Sequence, residues 1–235
     1  MELIVRNSLS KRLEVFYPRS GKTVKLFTCG PSVYRKQHIG NFRTFVFEDV
    51  LQKYLGYLGY SVQRVLNFTN LEDKAIGEAG EKGMSIEELT APVIEQFYDD
   101  AKALGIFIPK EIPTSTDSVD QAVKLIQELM ENGHAYRHNN NIYYDPLTYS
   151  KFGEVYGLDM SKWPKKKVRF SKDTYPGQRW NRGDFILWHG AKNDGGMYWD
   201  TEIGRGRPAW NVQDPAMVTK QIGYEIDIHC GGIDN

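Results

Sequence analysis

Residues 23–29 (Thr-Val-Lys-Leu-Phe-Thr-Cys) are β-branched and aromatic and stop at Gly30-Pro31, which predicts a buried strand. A loop follows to Gly40. From Asn41 onward Phe42, Phe45, Val46, Val50, Tyr54, Leu55 and Leu58 recur at helical spacing until Gly59 closes the run. Residues 61–67 (Ser-Val-Gln-Arg-Val-Leu-Asn) then read as a second strand. Strand, glycine-bearing loop, helix and strand in this order predict a βαβ unit with a parallel sheet. Further on, Ser85 and Glu88 form a capping box for a helical stretch that Pro92 should interrupt or kink before Gly105. Two prolines within 109–114 mark a boundary, and Thr116 is expected to cap an amphipathic helix (Val119, Ala122, Val123, Ile126, Leu129, Met130) that ends at Asn132-Gly133. Residues 135–200 are rich in Tyr, Trp, Asn and Gly with short strand-like pieces such as 141–145, and read as an inserted α+β module.

Composition changes this picture in three ways. The 235 residues are 40% hydrophobic and 13% aromatic, enough for a packed core in one domain carrying a large insertion. The two cysteines, Cys29 and Cys230, cannot build a disulfide framework and point to a reducing, cytoplasmic setting. No apolar run reaches the ~18 residues of a membrane span, and the N-terminal residues lack the apolar run of a secretion signal, so no membrane partner is expected. The formal net charge of +0 speaks against a non-specific nucleic-acid coat. That zero hides a polarity: residues 70–111 carry ten acids against four bases, and residues 150–182 carry nine bases against three acids. Lys165-Lys166-Lys167 lies in the basic stretch and reads either as a solvated face or as a contact to a phosphate backbone.

The candidate chemistry gathers in the first βα loop, Cys29-Gly30-Pro31-Ser32 and then His38-Ile39-Gly40-Asn41. A helix N-terminus offers unpaired N–H groups and partial positive charge, hence an anion site. Gly40 would let a phosphate approach the backbone, and His38 could add a hydrogen bond where phosphate charge grows. Spacing alone does not separate that reading from a turn glycine beside a surface histidine.

The residues themselves go further. Thr28-Cys29-Gly30-Pro31-Ser32-Val33-Tyr34 and His38-Ile39-Gly40-Asn41-Phe42-Arg43-Thr44 resemble the T-C-G-P-T-V-Y and H-I-G-H-x-R-T motifs of the class I cysteinyl-tRNA synthetases. The resemblance continues through Asn67-Phe68-Thr69-Asn70-Leu71-Glu72-Asp73-Lys74, Asp184-Phe185-Ile186-Leu187-Trp188, Gly206-Arg207-Pro208-Ala209-Trp210 and Asp227-Ile228-His229-Cys230-Gly231-Gly232-Ile233-Asp234. It covers nearly the whole chain and matches the catalytic half of that family.

This resemblance implies an α/β fold: a Rossmann-like parallel-sheet nucleotide-binding domain split by a connective α+β insertion. Residues 1–112 would form its first half, 113–198 the insertion, and 199–235 the opening of an incomplete second half. It implies activation of an amino acid by Mg2+-bound ATP to an aminoacyl-adenylate, then transfer to an acceptor such as a tRNA end reached through the basic insertion. His38, Gly40 and Asn41 would take the catalytic positions at the phosphates. Cys29, Gly30, Ser32, Thr44, Asn67, Thr69 and His229 would line the adenylate and amino-acid site. Trp210 would wall the amino-acid pocket, and Gly232, Ile233 and Asp234 would bracket the ribose. Family members select cysteine with a zinc ion, because thiolate is the better zinc ligand. Cys29 matches the first zinc ligand and Asp214 falls at the second, where the family has cysteine; the remaining two ligands would follow Asn235. Asn41 and Asn211 replace family histidines, Asn70 replaces an aspartate, and Cys230 stands where glycine is usual. The lysine-rich K-M-S-K-S loop and the anticodon-reading region of the family have no match in these residues, which implies a fragment or a shortened paralog. Two alternatives stay open: a ligase joining an amino acid to a small amine, and a catalytically degenerate adenylate-binding module.

Overall fold

The computed structural model describes residues 2–109, 112–163, 183–192 and 196–232. In chain order the strands and α-helices among them are β1 (Ile4–Arg6), β2 (Leu13–Val15), β3 (Thr23–Thr28), α1 (Ile39–Tyr57), β4 (Ser61–Leu66), α2 (Asp73–Lys82), α3 (Ile86–Ala103), α4 (Val119–Glu131), β5 (Ala135–His138), β6 (Asn141–Tyr144), β7 (Phe185–Gly190), β8 (Gly206–Pro208), α5 (Trp210–Ile222) and β9 (Ile228–Cys230). Contacts divide the chain into two compact units: residues 18–121 with 213–230, and residues 1–17 with 122–212 and 231–235. No described helix is long and apolar enough to cross a membrane.

The first unit contains the expected βαβ unit. β3 pairs in parallel with β4 from Thr23↔Ser61 to Thr28↔Leu66, and β9 adds to the other side of β3, giving the order β4-β3-β9. Asp227 fixes the entry of β9, its carboxylate accepting from the backbone N–H groups of Arg19 and Lys25 at 2.7 Å each. One aromatic core unites the helices with β4: Phe97 stacks on Phe42 at 5.5 Å and meets Phe45 and Phe68 edge-on at 5.3 Å, with Val33, Leu66 and Ile106 beside them. Such aromatic pairs add about 0.5–1.5 kcal/mol each beyond the area they bury.

Three expectations change on the structure. Val46, Val50 and Tyr54 of α1 lie on its exposed side, while Glu48 and Asp49 are buried beside Phe42, Phe45 and Leu55. The acids go inside because each has a partner there. Asp49 accepts from the Phe107 N–H at 3.0 Å, and Glu48 faces the Arg64 guanidinium at 3.4 Å. Arg64 also donates to the Thr28 hydroxyl, the Gln52 side chain and the Phe107 carbonyl. Pro92 does not interrupt α3, which runs unbroken from Ile86 to Ala103. The proline sits on the exposed side, and the opposite face buries Ile86, Leu89, Phe97 and Ala101. Thr116 is not the helix cap: it opens a 3-10 turn (Thr116–Ser118) ahead of α4. Its hydroxyl instead accepts from the Asn70 amide, whose oxygen takes the Thr116 N–H. The short helix α2 and the β1–β2 hairpin are not among the expected elements.

In the second unit, β5-β6-β7-β8 form an antiparallel sheet in that order, with a bulge between Ile142 and Tyr143. Tyr143, Ile186 and Ala209 pack together with Tyr136 against them. The strand-like reading of 141–145 corresponds to β6.

The Glu48–Arg64 pair generates a prediction. Removing one partner strands the other charge in a nonpolar setting, which costs about 3–5 kcal/mol. Arg64→Leu should therefore lower the urea midpoint by a corresponding amount, and the Arg64→Leu/Glu48→Leu double variant should recover part of the loss.

Candidate functional site

The candidate site is at the ends of β3 and β4 and the start of α1, all within one unit. His38 is the N-cap of α1, with extended backbone (φ −102°, ψ 169°). Its Nδ1 accepts from the Gly40 N–H at 3.1 Å, and Asn41 Oδ1 accepts in return from the His38 N–H at 3.1 Å. That reciprocal arrangement is a capping box in which imidazole takes the role usually held by serine or threonine. With Nδ1 used as an acceptor, the neutral ring carries its proton on Nε2, which is left as a donor. The His38 ring also explains Gly40: a Cβ there would stand 2.9 Å from Cε1 and 3.0 Å from Nδ1. The glycine thus makes room for the histidine ring itself. His38 and Gly40 are exposed, as is Thr44 on the next turn of α1.

A second group of residues forms a polar floor after β3. Asn67, fully buried, accepts from the Gly30 N–H at 2.9 Å and donates to Asp214 Oδ1 at 3.0 Å and to Thr69 Oγ1 at 3.4 Å. The Cys29 thiol donates to Asp214 Oδ2 at 3.4 Å. Gly30 passes so close to β4 that a Cβ would lie 1.7 Å from the Asn67 carbonyl oxygen, so only glycine fits. Thr69 bonds through its backbone to Pro31 and Val33, which holds the loop containing Ser32 against the end of β4. The Ser32 hydroxyl is buried without a hydrogen-bond partner among the described residues. Burial raises the pKa of the Cys29 thiol, and the neighbouring Asp214 carboxylate raises it further. Burial also raises Asp214, against the opposing hydrogen bonds from Cys29 and Asn67. Cys230, which pairs in register with Thr28 and accepts through its carbonyl from the Cys29 N–H, has its thiol pushed up to about 11 by burial.

The chain therefore brings Cys29, Gly30, Asn67, Thr69 and Asp214 into one connected group, with His38, Gly40 and Asn41 in a second group in the same unit. His229 lies on β9 with its ring 5.0 Å from Phe27. Trp210 opens α5 and is counted in the other unit, as is the exposed Gly232. Ile233, Asp234 and Lys165-Lys166-Lys167 lie outside the described residues. Asn211 donates to the Ile186 carbonyl at 2.9 Å and so holds backbone within its own unit.

Cys29 and Asp214, the two positions that the resemblance assigns to zinc, stand side by side and could supply a sulfur and an oxygen donor to it. Among the described residues no group of three His, Cys, Asp or Glu side chains gathers.

The comparisons with known proteins decide the family. The model of the class I tRNA synthetase (C) catalytic domain matches residues 15–235. The chain belongs to that family. It is 36% identical over 236 residues to a cysteine–tRNA ligase of Brachyspira hyodysenteriae, covering 100% of this chain and 49% of the relative. The corresponding ligases of Chlamydia muridarum and Leptospira interrogans are each 37% identical, again over 100% of this chain and 49% of theirs. The chain thus spans about half the length of these relatives. A crystal structure assigned as an arginyl-tRNA synthetase from Campylobacter jejuni shares the fold, with TM-score 0.50 and 12% identity over 91% of this chain and 48% of that one. The fold is therefore the class I synthetase α/β fold expected from the motifs.

One residue escaped the sequence reading. Glu72, just ahead of α2, is buried at 7% exposure, and its Oε1 has no hydrogen-bond partner among the described residues. Burial pushes its pKa up to about 7, with Lys74 opposing. A carboxyl that binds its proton more tightly when folded destabilises the fold as pH rises from its unfolded value, near 4.5, through about 7. Glu72→Gln should therefore raise the thermal midpoint at pH 8, by roughly 1–3 kcal/mol of stability. The difference should close below pH 4.5, where the wild-type carboxyl is protonated in both states.

Proposed function

We propose that this chain binds ATP and an amino acid and promotes formation of an aminoacyl-adenylate, as the activating half of a ligase resembling cysteine–tRNA ligase. The amino-acid carboxylate oxygen attacks the α-phosphorus of ATP, the bond from that phosphorus to the bridging oxygen breaks, and pyrophosphate leaves with the electron pair. The chemistry asks little covalent help of the protein; positioning and stabilisation of phosphate charge supply most of the rate. Magnesium accompanies ATP in this family and would neutralise part of the charge on the leaving pyrophosphate.

The observation that carries this reading is the His38 cap. Because its Nδ1 is committed to the Gly40 N–H, the imidazole is held in one tautomer and one orientation at the positive end of α1, with Nε2–H free to donate to a phosphate oxygen. Asn41 holds the same turn from the other side. In the same unit, the floor of Cys29, Asn67, Thr69 and Asp214 offers polar groups for the amino acid. The acceptor in the second step is proposed to be a tRNA end, drawn by the basic stretch 150–182, and the setting to be the cytoplasm. Dependence of product formation on nuclease-sensitive RNA would distinguish this from transfer to a small amine.

Asn41 and Asn211, both engaged with backbone where the family has histidines, favour a second reading: a module that binds adenylates without forming them. ATP–pyrophosphate exchange across the amino acids separates the two. Exchange dependent on an amino acid supports the first; binding of a non-hydrolysable aminoacyl-sulfamoyl adenosine without exchange selects the second; absence of both overturns the proposal. His38→Asn preserves a good N-cap and should keep the thermal midpoint while cutting exchange by roughly a hundredfold. His38→Ala should lose exchange and about 1 kcal/mol of stability as well.

A further inference from the structure

The two groups of the candidate site, the His38 cap and the floor around Asn67, are joined through one guanidinium. Arg64 Nε donates to the Thr28 hydroxyl at 3.0 Å, and Thr28 ends β3 directly before Cys29 and Gly30 of the floor. Toward α1, Arg64 Nη1 donates to the Gln52 side chain at 3.1 Å, and Nη2 stands 3.4 Å from the Glu48 carboxylate. Nη1 also donates to the Phe107 carbonyl at 3.1 Å. Glu48 and Gln52 lie one turn apart on one face of the helix, so one fork grips both its rotation and its height. The Glu48 and Arg64 side chains are 1% and 2% exposed, and every partner named lies within residues 18–121. The contact is closed off by the unit's own residues.

Glu48 lies about 15 Å along α1 from the His38 N-cap, at 1.5 Å per residue. A tilt of roughly 5° about that point carries the cap by about 1 Å, and a displacement of that size can cost on the order of a hundredfold in rate. The Phe42 and Phe45 contacts hold the same helix, but apolar packing is non-directional where a charged hydrogen bond is not. Resting on the adenylation reading, we propose that Arg64 and Glu48 are positioning residues that set the spacing between the His38 cap and the floor of Cys29, Asn67 and Asp214, so that the α-phosphate and the amino-acid carboxylate meet in line. Burial pushes the Glu48 carboxyl up to about 7 against the pull of Arg64. Below that pH the carboxyl holds its proton, the ion pair is lost, and Arg64 keeps only neutral acceptors. The other titratable groups that feel Glu48 are the thiols of Cys29 after β3 and Cys230 on β9, both raised chiefly by burial. Asp49, beside it on the helix, is engaged by Lys53 and the Phe107 N–H.

Calorimetry with two probes tests the spacing. ATP meets the cap, whereas an aminoacyl-sulfamoyl adenosine, the tightest of the cysteinyl, seryl and alanyl compounds, spans cap and floor. In the Arg64→Leu/Glu48→Leu double variant the spanning compound should lose at least roughly tenfold in affinity, while ATP changes by less than about threefold. A double variant that binds both probes as wild type does, or loses both equally, overturns the proposal. Should that variant not fold, Glu48→Gln decides, because glutamine keeps the shape and an acceptor but cannot ionise. Wild-type affinity for the spanning compound should fall between pH 8 and pH 6, and the variant should lack that component of the fall. Protonation of Asp214 or of the ligand acts on both proteins alike and cancels in the comparison. Identical pH profiles overturn the proposal and leave adenylate binding standing. Failure of wild type to bind any of the compounds removes the adenylation reading and this inference together.

Discussion

A guanidinium buried between a helix and a sheet holds the first unit in register. Arg64 stands on β4 and reaches the Thr28 hydroxyl at the end of β3, the Glu48 and Gln52 side chains on α1, and the Phe107 carbonyl after α3. Cys29, Gly30, Asn67 and Thr69 directly follow β3 and β4, so the relative height of these strands must be fixed to well within an ångström. Strand hydrogen bonds alone set that height along one direction. Arg64 sets it against the crossover helix as well, which is the element that presents His38. Its planar fork suits a site where several acceptors converge, and a lysine could satisfy fewer of them in fixed directions.

Around this anchor the chain meets two unlike requirements. The aromatic cluster of Phe42, Phe45, Phe68 and Phe97 supplies non-directional burial and tolerates exchange of shape. The polar floor tolerates little, because Asn67, itself fully buried, serves a backbone N–H, a hydroxyl and a carboxylate at once, and losing it would take a partner from all three.

Much of this was legible in the residues. The βαβ unit could be read because strand, glycine loop and helix differ in apolar period, and because Gly59, at φ +86°, ends the helix where a left-handed residue is needed. The motifs around His38 and Asn67 pointed to the correct family and half. What could not be read were preferences that packing overrides. A periodic pattern assigned Val50 and Tyr54 inward, whereas the wall facing the sheet is built from Glu48 and Asp49, whose burial depends on partners distant in sequence. Pro92 looked like a break because local rules ignore the face on which a proline falls. Glu72 was invisible since nothing in its neighbours announces a buried carboxylate. Gly40 could be flagged as special, but only the fold shows that the space it leaves is filled by the histidine two residues before it.

The glycine at position 30 has a consequence of another kind. Its Cα passes against the Asn67 carbonyl with no room for one more carbon, so the backbone of the floor is a fixed mould. The Cys29 side chain next to it is held on two sides, by Asp214 through the thiol and by the apolar cluster of Phe27, Val65 and Val218. Variation at this turn is therefore confined to side chains, because the backbone at position 30 admits no residue but glycine.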